Sequence, residues 1–144
     1  MGIESIGSVL RKKGHEICSV APDATVYEAV ALMAAKAISA VLVISEGALV
    51  GIISARDYGR EVVLKEKSSK TVRVRDVMTS SLVTVTPQTT VLEAMATMSR
   101  HHIRHLPVMN DGTLEGVVSM EDLVDEVISG QAFTIDQLQK YILG

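Results

Sequence analysis

Gly51-Ile52-Ile53-Ser54-Ala55-Arg56-Asp57 decides the fold, because it returns as Gly116-Val117-Val118-Ser119-Met120-Glu121-Asp122. Each copy reads as a short apolar strand that turns and opens a helix. Ser54 and Asp57 are three residues apart, as are Ser119 and Asp122. That is the spacing of an N-cap and the third helical residue, where a hydroxyl and a carboxylate satisfy orphan N–H groups of the first turn. Gly51 and Gly116 have no Cβ, so a flat ligand could lie against the backbone there.

Outward from this stretch, the two halves align at a constant offset of 65 without a gap, with 17 identities over the 44 positions 20–63. That is an internal repeat. Each unit reads β-α-β-β-α. In the first, Ile17–Val20 is extended, closed by Pro22, and Thr25 with Glu28 forms a capping box. Val26, Ala29, Val30, Met33 and Ala37 make the core-facing stripe of the helix that follows. Ala40–Ile44 and Leu49–Ile53 read as strands joined by a turn at Glu46-Gly47, followed by a helix over 55–67. In the second unit, Leu82–Val85 precedes Pro87. Thr90 and Glu93 form a second capping box, opening a helix with the stripe Val91, Ala94, Met95, Met98. His105–Met109 and Leu114–Val118 are the strands, and Met120–Ile128 is the last helix, stopped by Gly130. Pro107 lacks a ladder donor, so its strand is an edge there or its N–H position faces away from its partner.

The expected fold is α+β, two such repeats packed through their sheets about a pseudo-twofold axis. The expected divisions are 8–67 for the first repeat, 68–75 for a solvated basic linker, 76–130 for the second repeat and 131–144 for a C-terminal amphipathic helix. Ser5–Lys13 reads as a short helix ahead of the first repeat, ended by Gly14. In the tail, Ile135, Leu138, Tyr141 and Ile142 share a face that needs a surface to pack on, on its own subunit or, as the favoured reading, across a dimer.

With 144 residues and 47% hydrophobic composition, the chain buries a core without staples. A net charge of −3 with no Trp argues against nucleic acid or a membrane surface as partner. Cys18 is the only cysteine, which fits the reducing cytoplasm, and its apolar setting reads as an inert buried thiol. No signal peptide or membrane span is evident. His101, His102 and His105 have no Cys or carboxylate at ligand spacing, so no metal site is expected. No phosphate-loop motif or nucleophile–base pair is present, so no catalytic residues are expected.

A hydroxyl, a carboxylate and free N–H groups at a helix start suit an anion and a ribose diol, which suggests a pair of nucleotide clefts. Arg56 and Arg60 of the first copy become Glu121 and Asp125 in the second. Arginine forks bind phosphate and carboxylates repel it, so the Asp57 side is expected to hold the more phosphate-rich ligand. Arg104 and His105 are further candidate cations.

The arrangement resembles a tandem pair of cystathionine-β-synthase (CBS) domains, a Bateman module of the stand-alone bacterial signal-transduction type. The resemblance rests on the two Gly-x-x-Ser-x-x-Asp runs, the strand–Pro–capped-helix units, Asp76-Val77-Met78-Thr79 and Ile103-Arg104-His105-Leu106-Pro107-Val108. It implies a regulatory module binding an adenine nucleotide such as AMP, ATP or NAD, usually as a homodimer, with an unknown downstream protein. By the same resemblance, backbone groups of Ser19, Val20, Ala21 and of Thr84, Val85, Thr86 read the adenine. Ile38, Ala40 and Ile103 wall the base, Asp57 and Asp122 take ribose hydroxyls, and Ser54 and Ser119 lie near ribose or phosphate. A ligand-free interaction module is the competing reading.

Overall fold

The computed structural model describes residues 4–130, so the expected helix over 131–144 lies outside the described residues. In chain order the elements are α1 (Ile6–Lys13), β1 (Ser19–Val20), α2 (Val26–Lys36), β2 (Ala40–Ser45), β3 (Ala48–Ser54), α3 (Ala55–Tyr58), α4 (Val91–His101), β4 (His105–Asn110) and β5 (Thr113–Ser119). A π-helical turn, Gly59–Val63, extends α3, and a 3₁₀ turn, Val74–Asp76, precedes the second repeat. Among the described residues a further helix, α5, runs over 120–130, so Gly130 is itself helical rather than the residue that stops it.

The chain divides into two compact units, residues 17–82 and residues 1–16 with 83–144. In the 17–82 unit, β1 pairs parallel with β2 and β2 antiparallel with β3. Thr25 caps α2 through the Glu28 N–H, and the Glu28 carboxylate accepts from the Thr25 N–H, closing the capping box. Val26, Ala29 and Met33 of the expected stripe are buried with Val41, Val43, Ile53 and Val62. Ala37 leaves that stripe: it caps the helix in the left-handed region, at φ 54°, and His102 does the same for α4. Cys18 is half-buried against this core.

The segment expected to be a solvated linker completes this unit. Val74 is fully buried, Val72 packs against the same core, and their neighbours Thr71, Arg73 and Arg75 are exposed. The backbone is stitched in as well: the Val26 N–H donates to Val72 O at 2.9 Å and the Val74 N–H to Ala24 O at 2.8 Å. The period of two explains the misreading. The charges lie on one side of an extended strip, and the valines on the other side enter the core.

In the other unit the same role falls to α1. Ser5 caps it, and Ile6, Val9 and Leu10 join Val85, Val91, Ala94, Met98, Leu106, Val108, Val118 and Leu123 in one core. The Ile6 N–H donates to Thr89 O and the Gly7 N–H to Pro87 O. Each repeat is thus completed by the segment that precedes the other repeat in sequence.

β4 and β5 pair antiparallel with the register of β2 and β3, including the irregularity at Val108/Met109 that matches Val43/Ile44. The first repeat has a third, parallel strand; the second has only an isolated bridge from Val85 to Val108. Pro107 explains the difference. Its counterpart Leu42 donates its N–H to Cys18 O at 3.0 Å, a bond that proline cannot make. Pro107 O accepts from the Val85 N–H, so its N position also faces the Val85 side, away from β5. The antiparallel ladder is untouched and the parallel one shrinks.

Both motif glycines make room for the chain itself on the side that a Cβ would occupy. A Cβ at Gly51 would stand 2.5 Å from Met78 Sδ and 3.1 Å from Thr79 O, because Thr79 bridges Ile52 there. A Cβ at Gly116 would stand 3.1 Å from Leu10 Cδ2. Backbone yields less than the end of a leucine, so Gly51→Ala should destabilise the chain by about 1–3 kcal/mol and Gly116→Ala by less, about 1 kcal/mol or under. Urea denaturation of the two variants checks the order; equal costs would contradict it.

Candidate functional site

β3 ends at Ser54, whose extended backbone (φ −114°, ψ 164°) turns the chain into α3. The Asp57 N–H donates to Ser54 Oγ at 3.1 Å, while Asp57 Oδ2 accepts from the Ser54 N–H at 2.9 Å and from the Ser54 hydroxyl at 3.0 Å. Arg60 donates to Asp57 Oδ1 at 3.0 Å. Asp57, at 7% exposure, is the buried charged residue among those described, and a buried carboxylate must be answered in this way. An ionised carboxylate offers about four acceptor positions. Three are used here, and one on Oδ1 is left to accept a hydroxyl. Arg60 also bonds Glu61, at 3.2 Å, so its guanidinium is held between two carboxylates rather than presented alone. Arg56 is exposed on the same turn.

The second corner repeats the cap and changes the cation. Asp122 Oδ2 accepts from the Ser119 N–H at 2.8 Å, and the Asp122 N–H donates to Ser119 Oγ at 3.2 Å. Position 125 is an aspartate, so no arginine can answer Asp122 from its own helix. Lys13, at the end of α1, does so instead: Nζ lies 2.7 Å from Asp122 Oδ2 and 2.9 Å from Val117 O. Burial pushes the Asp122 carboxyl up, but the Lys13 ammonium and the Ser119 donors together hold it below the usual carboxylate range. Sequence reading missed Lys13 because it lies 109 residues from its partner.

The remaining candidates fall into place around these corners. Burial pushes His105 below its ordinary value, and Lys13 and Arg104 push the same way against Glu121 and Asp122. Arg104 pairs with Glu121 at 3.1 Å. Ala40 is buried under the first corner, paired with Ser54; Ile38 is partly exposed and Ile103 packs against the second core.

Of the two backbone segments, the Val85 N–H and C=O are both spent on β4, and Thr86 is tied to Thr89 through its N–H and its C=O. Thr84, exposed, has a backbone that bonds no described residue. In the first repeat Ser19 and Val20 pair with β2, Ala21 O accepts from the Ala24 N–H, and Ser19 and Ala21 are exposed. Among the described residues no group of three or more His, Cys, Asp or Glu is placed to hold a metal ion, and no helix is long and apolar enough to cross a membrane.

Asp122 titrates lower in the fold than in the unfolded chain. Its ion pair therefore stabilises the protein above the ordinary aspartate range near pH 4, and the contribution is lost as pH falls through the depressed value. Both partners are partly exposed, so Lys13→Met should lower Tm at pH 7 by roughly 2–4 °C, the scale of about 0.5–1 kcal/mol. The gap between wild type and variant should narrow as pH falls below the ordinary aspartate range. A gap that does not change with acidification would assign the effect to packing of the lysine stem.

The CBS domain family matches this chain twice, over residues 7–62 and 74–129. The CBS domain-containing protein CBSX3, mitochondrial, of Arabidopsis thaliana is 39% identical over 99% of this chain and 75% of its own length. A solved CBS-domain protein from Burkholderia ambifaria is 42% identical with a TM-score of 0.85, covering 88% of this chain and 96% of that one. The CBS domain pair of protein MJ0100, solved with 5′-methylthioadenosine and S-adenosyl-L-methionine, shares the fold at 22% identity and a TM-score of 0.77, over 90% of this chain and 99% of that one. The chain belongs to the CBS domain family, of which it carries two consecutive copies.

Proposed function

We propose that the chain is a regulatory sensor of an adenine nucleotide of the AMP, ATP or NAD type, and that it signals occupancy through a change of conformation or of dimer pose. The observation that carries this reading is the duplicated corner itself. Twice, a serine fixes an aspartate at the start of a helix, with one carboxylate oxygen committed to the cap and the other retaining acceptor capacity. A ribose diol is a fitting partner for that oxygen. The MJ0100 pair, similar in fold, holds two adenosine compounds, and the Burkholderia protein is named as a candidate for signal transduction. Both support a ligand-reading module. The role is binding rather than catalysis, because a sensor needs only a ligand that favours one pose by a real free-energy difference.

At each corner the Ser and Asp would hold the ribose. Exposed Thr84, whose backbone bonds no described residue, is better placed to read a base through its backbone than Val85 or Thr86, whose backbone groups are engaged; in the first repeat Ser19 and Ala21 are the exposed residues. Ile38, Ala40 and Ile103 would supply apolar contact. We further read the chain as a homodimer that reports to a downstream protein in a reducing compartment such as the cytoplasm. Tyr27 and Leu92 are exposed apolar residues at matching positions of the two repeats, as are Val63 and Ile128, which supports a self-association surface.

A thermal-shift panel on nucleotide-stripped protein tests the sensor reading, with AMP, ADP, ATP, NAD⁺, NADH and S-adenosylmethionine against a GMP control. A ligand at 100 times its Kd adds about 2.7 kcal/mol, or roughly 5–10 °C for a chain of this size. The shift should appear with adenylates, be absent with GMP, and fall in Asp57→Asn and Asp122→Asn. Stabilisation by none of them would reduce both aspartates to helix caps and favour the ligand-free interaction module.

A further inference from the structure

The second motif loses two cations relative to the first, Arg56 to Glu121 and Arg60 to Asp125, yet its carboxylate has an ammonium 2.7 Å away. We propose that Lys13 is the specificity-determining residue of the Asp122 corner, selecting a ligand that carries an anionic group beside its ribose over a neutral nucleoside. This rests on the reading above, that Asp122 receives ribose.

Lys13 is fixed rather than trailing in solvent. Its ammonium has three donors, of which Asp122 Oδ2 and Val117 O take two. The third is unspent among the described residues. Asp122 Oδ1 accepts from no described residue, so a ribose hydroxyl can bond there without displacing the lysine. A ligand on Oδ1 then brings whatever follows its ribose toward an ammonium that is already oriented. Two acids of the same helix are already answered by other cations: Glu121 by Arg104 at 3.1 Å and Glu126 by Lys12 at 2.9 Å.

The fold alone does not require a cation at this place. At the 65-residue offset, Lys13 corresponds to Met78, which packs on Gly51 in the other unit. A methionine does the packing there, while Arg60 provides the cation from the motif helix. The two corners each bring one cation to the motif carboxylate by opposite routes, Arg60 onto Asp57 Oδ1 with Met78 packing in one, and Lys13 onto Asp122 Oδ2 with Asp125 in the helix of the other. The second corner is therefore able to hold a phosphate, contrary to what its Glu121 and Asp125 suggest in sequence.

The test is calorimetry on the full chain in an Asp57→Asn background, which silences the first corner, titrating AMP and adenosine separately. The Asp57→Asn chain should bind AMP more tightly than adenosine. Adding Lys13→Met should weaken AMP about tenfold, the scale of one charge-assisted hydrogen bond, while adenosine changes by less than about twofold. Lys13→Arg should retain the AMP preference, and a melting scan of each variant confirms that it is folded. Equal loss for both ligands, or no loss for either, would overturn the proposal and leave Lys13 as a tie between α1 and β5. If the unsubstituted chain binds neither ligand, the ribose reading falls and this proposal with it. That outcome is distinguished by needing no Lys13 variant.

Discussion

Neither repeat closes its own core, and the rest of the structure follows from how that gap is filled. A small sheet with one helix leaves apolar surface that two layers must cover. In one unit Val72, Val74 and Val77 cover it, and in the other Ile6, Val9 and Leu10. The covering segments sit at equivalent places in sequence, one before each repeat, but they differ in conformation. One is a capped helix, and the other an extended strip ending in a 3₁₀ turn. What the fold demands at that place is apolar volume at the right face. Ser5 provides a cap for the helical solution. Val72 and Val74, alternating with Thr71, Arg73 and Arg75, provide the period-two pattern for the extended one.

That difference marks where the sequence was legible and where it was not. The offset of 65 located every strand of the four hairpin strands to within a residue, because alternation, turn glycines and capping residues all agree there. The covering segments escaped because their partners are distant. A run of basic residues reads as solvated until the valines between the charges are seen to enter a core. The neighbours of the motif glycines escaped for a related reason. Absence of a Cβ announces a close approach, but not by what, and Met78, Thr79 and Leu10 are the chain's own answer.

Pro107 shows how one residue alters a repeat without breaking it. Its missing N–H falls on the side where the first repeat makes a parallel bond, so the cost is one strand pairing and the hairpin is kept. The exposed Thr84 is left beside that shortened ladder, with backbone groups that the sheet does not use. The same substitution on the β5 side would have removed an antiparallel bond and loosened the strand that carries Ser119.

The serine and aspartate positions were readable because capping is local: three residues set the geometry, and both carboxylates adopted it. The cation that accompanies each carboxylate is not local. A buried or half-buried carboxylate needs a positive or donating neighbour, and that demand can be met from any element within reach. At Asp57 it is met by Arg60, three residues on; at Asp122 the aspartate at 125 makes that impossible, and α1 meets it through Lys13. The covering segment thus has two tasks in that unit, filling the core with Leu10 and balancing the motif charge with Lys13, one helical turn apart. A change in charge at Asp122 is felt first by Lys13, at the end of α1. The charge at the corner and the seating of the helix that closes the core are therefore one coupled arrangement.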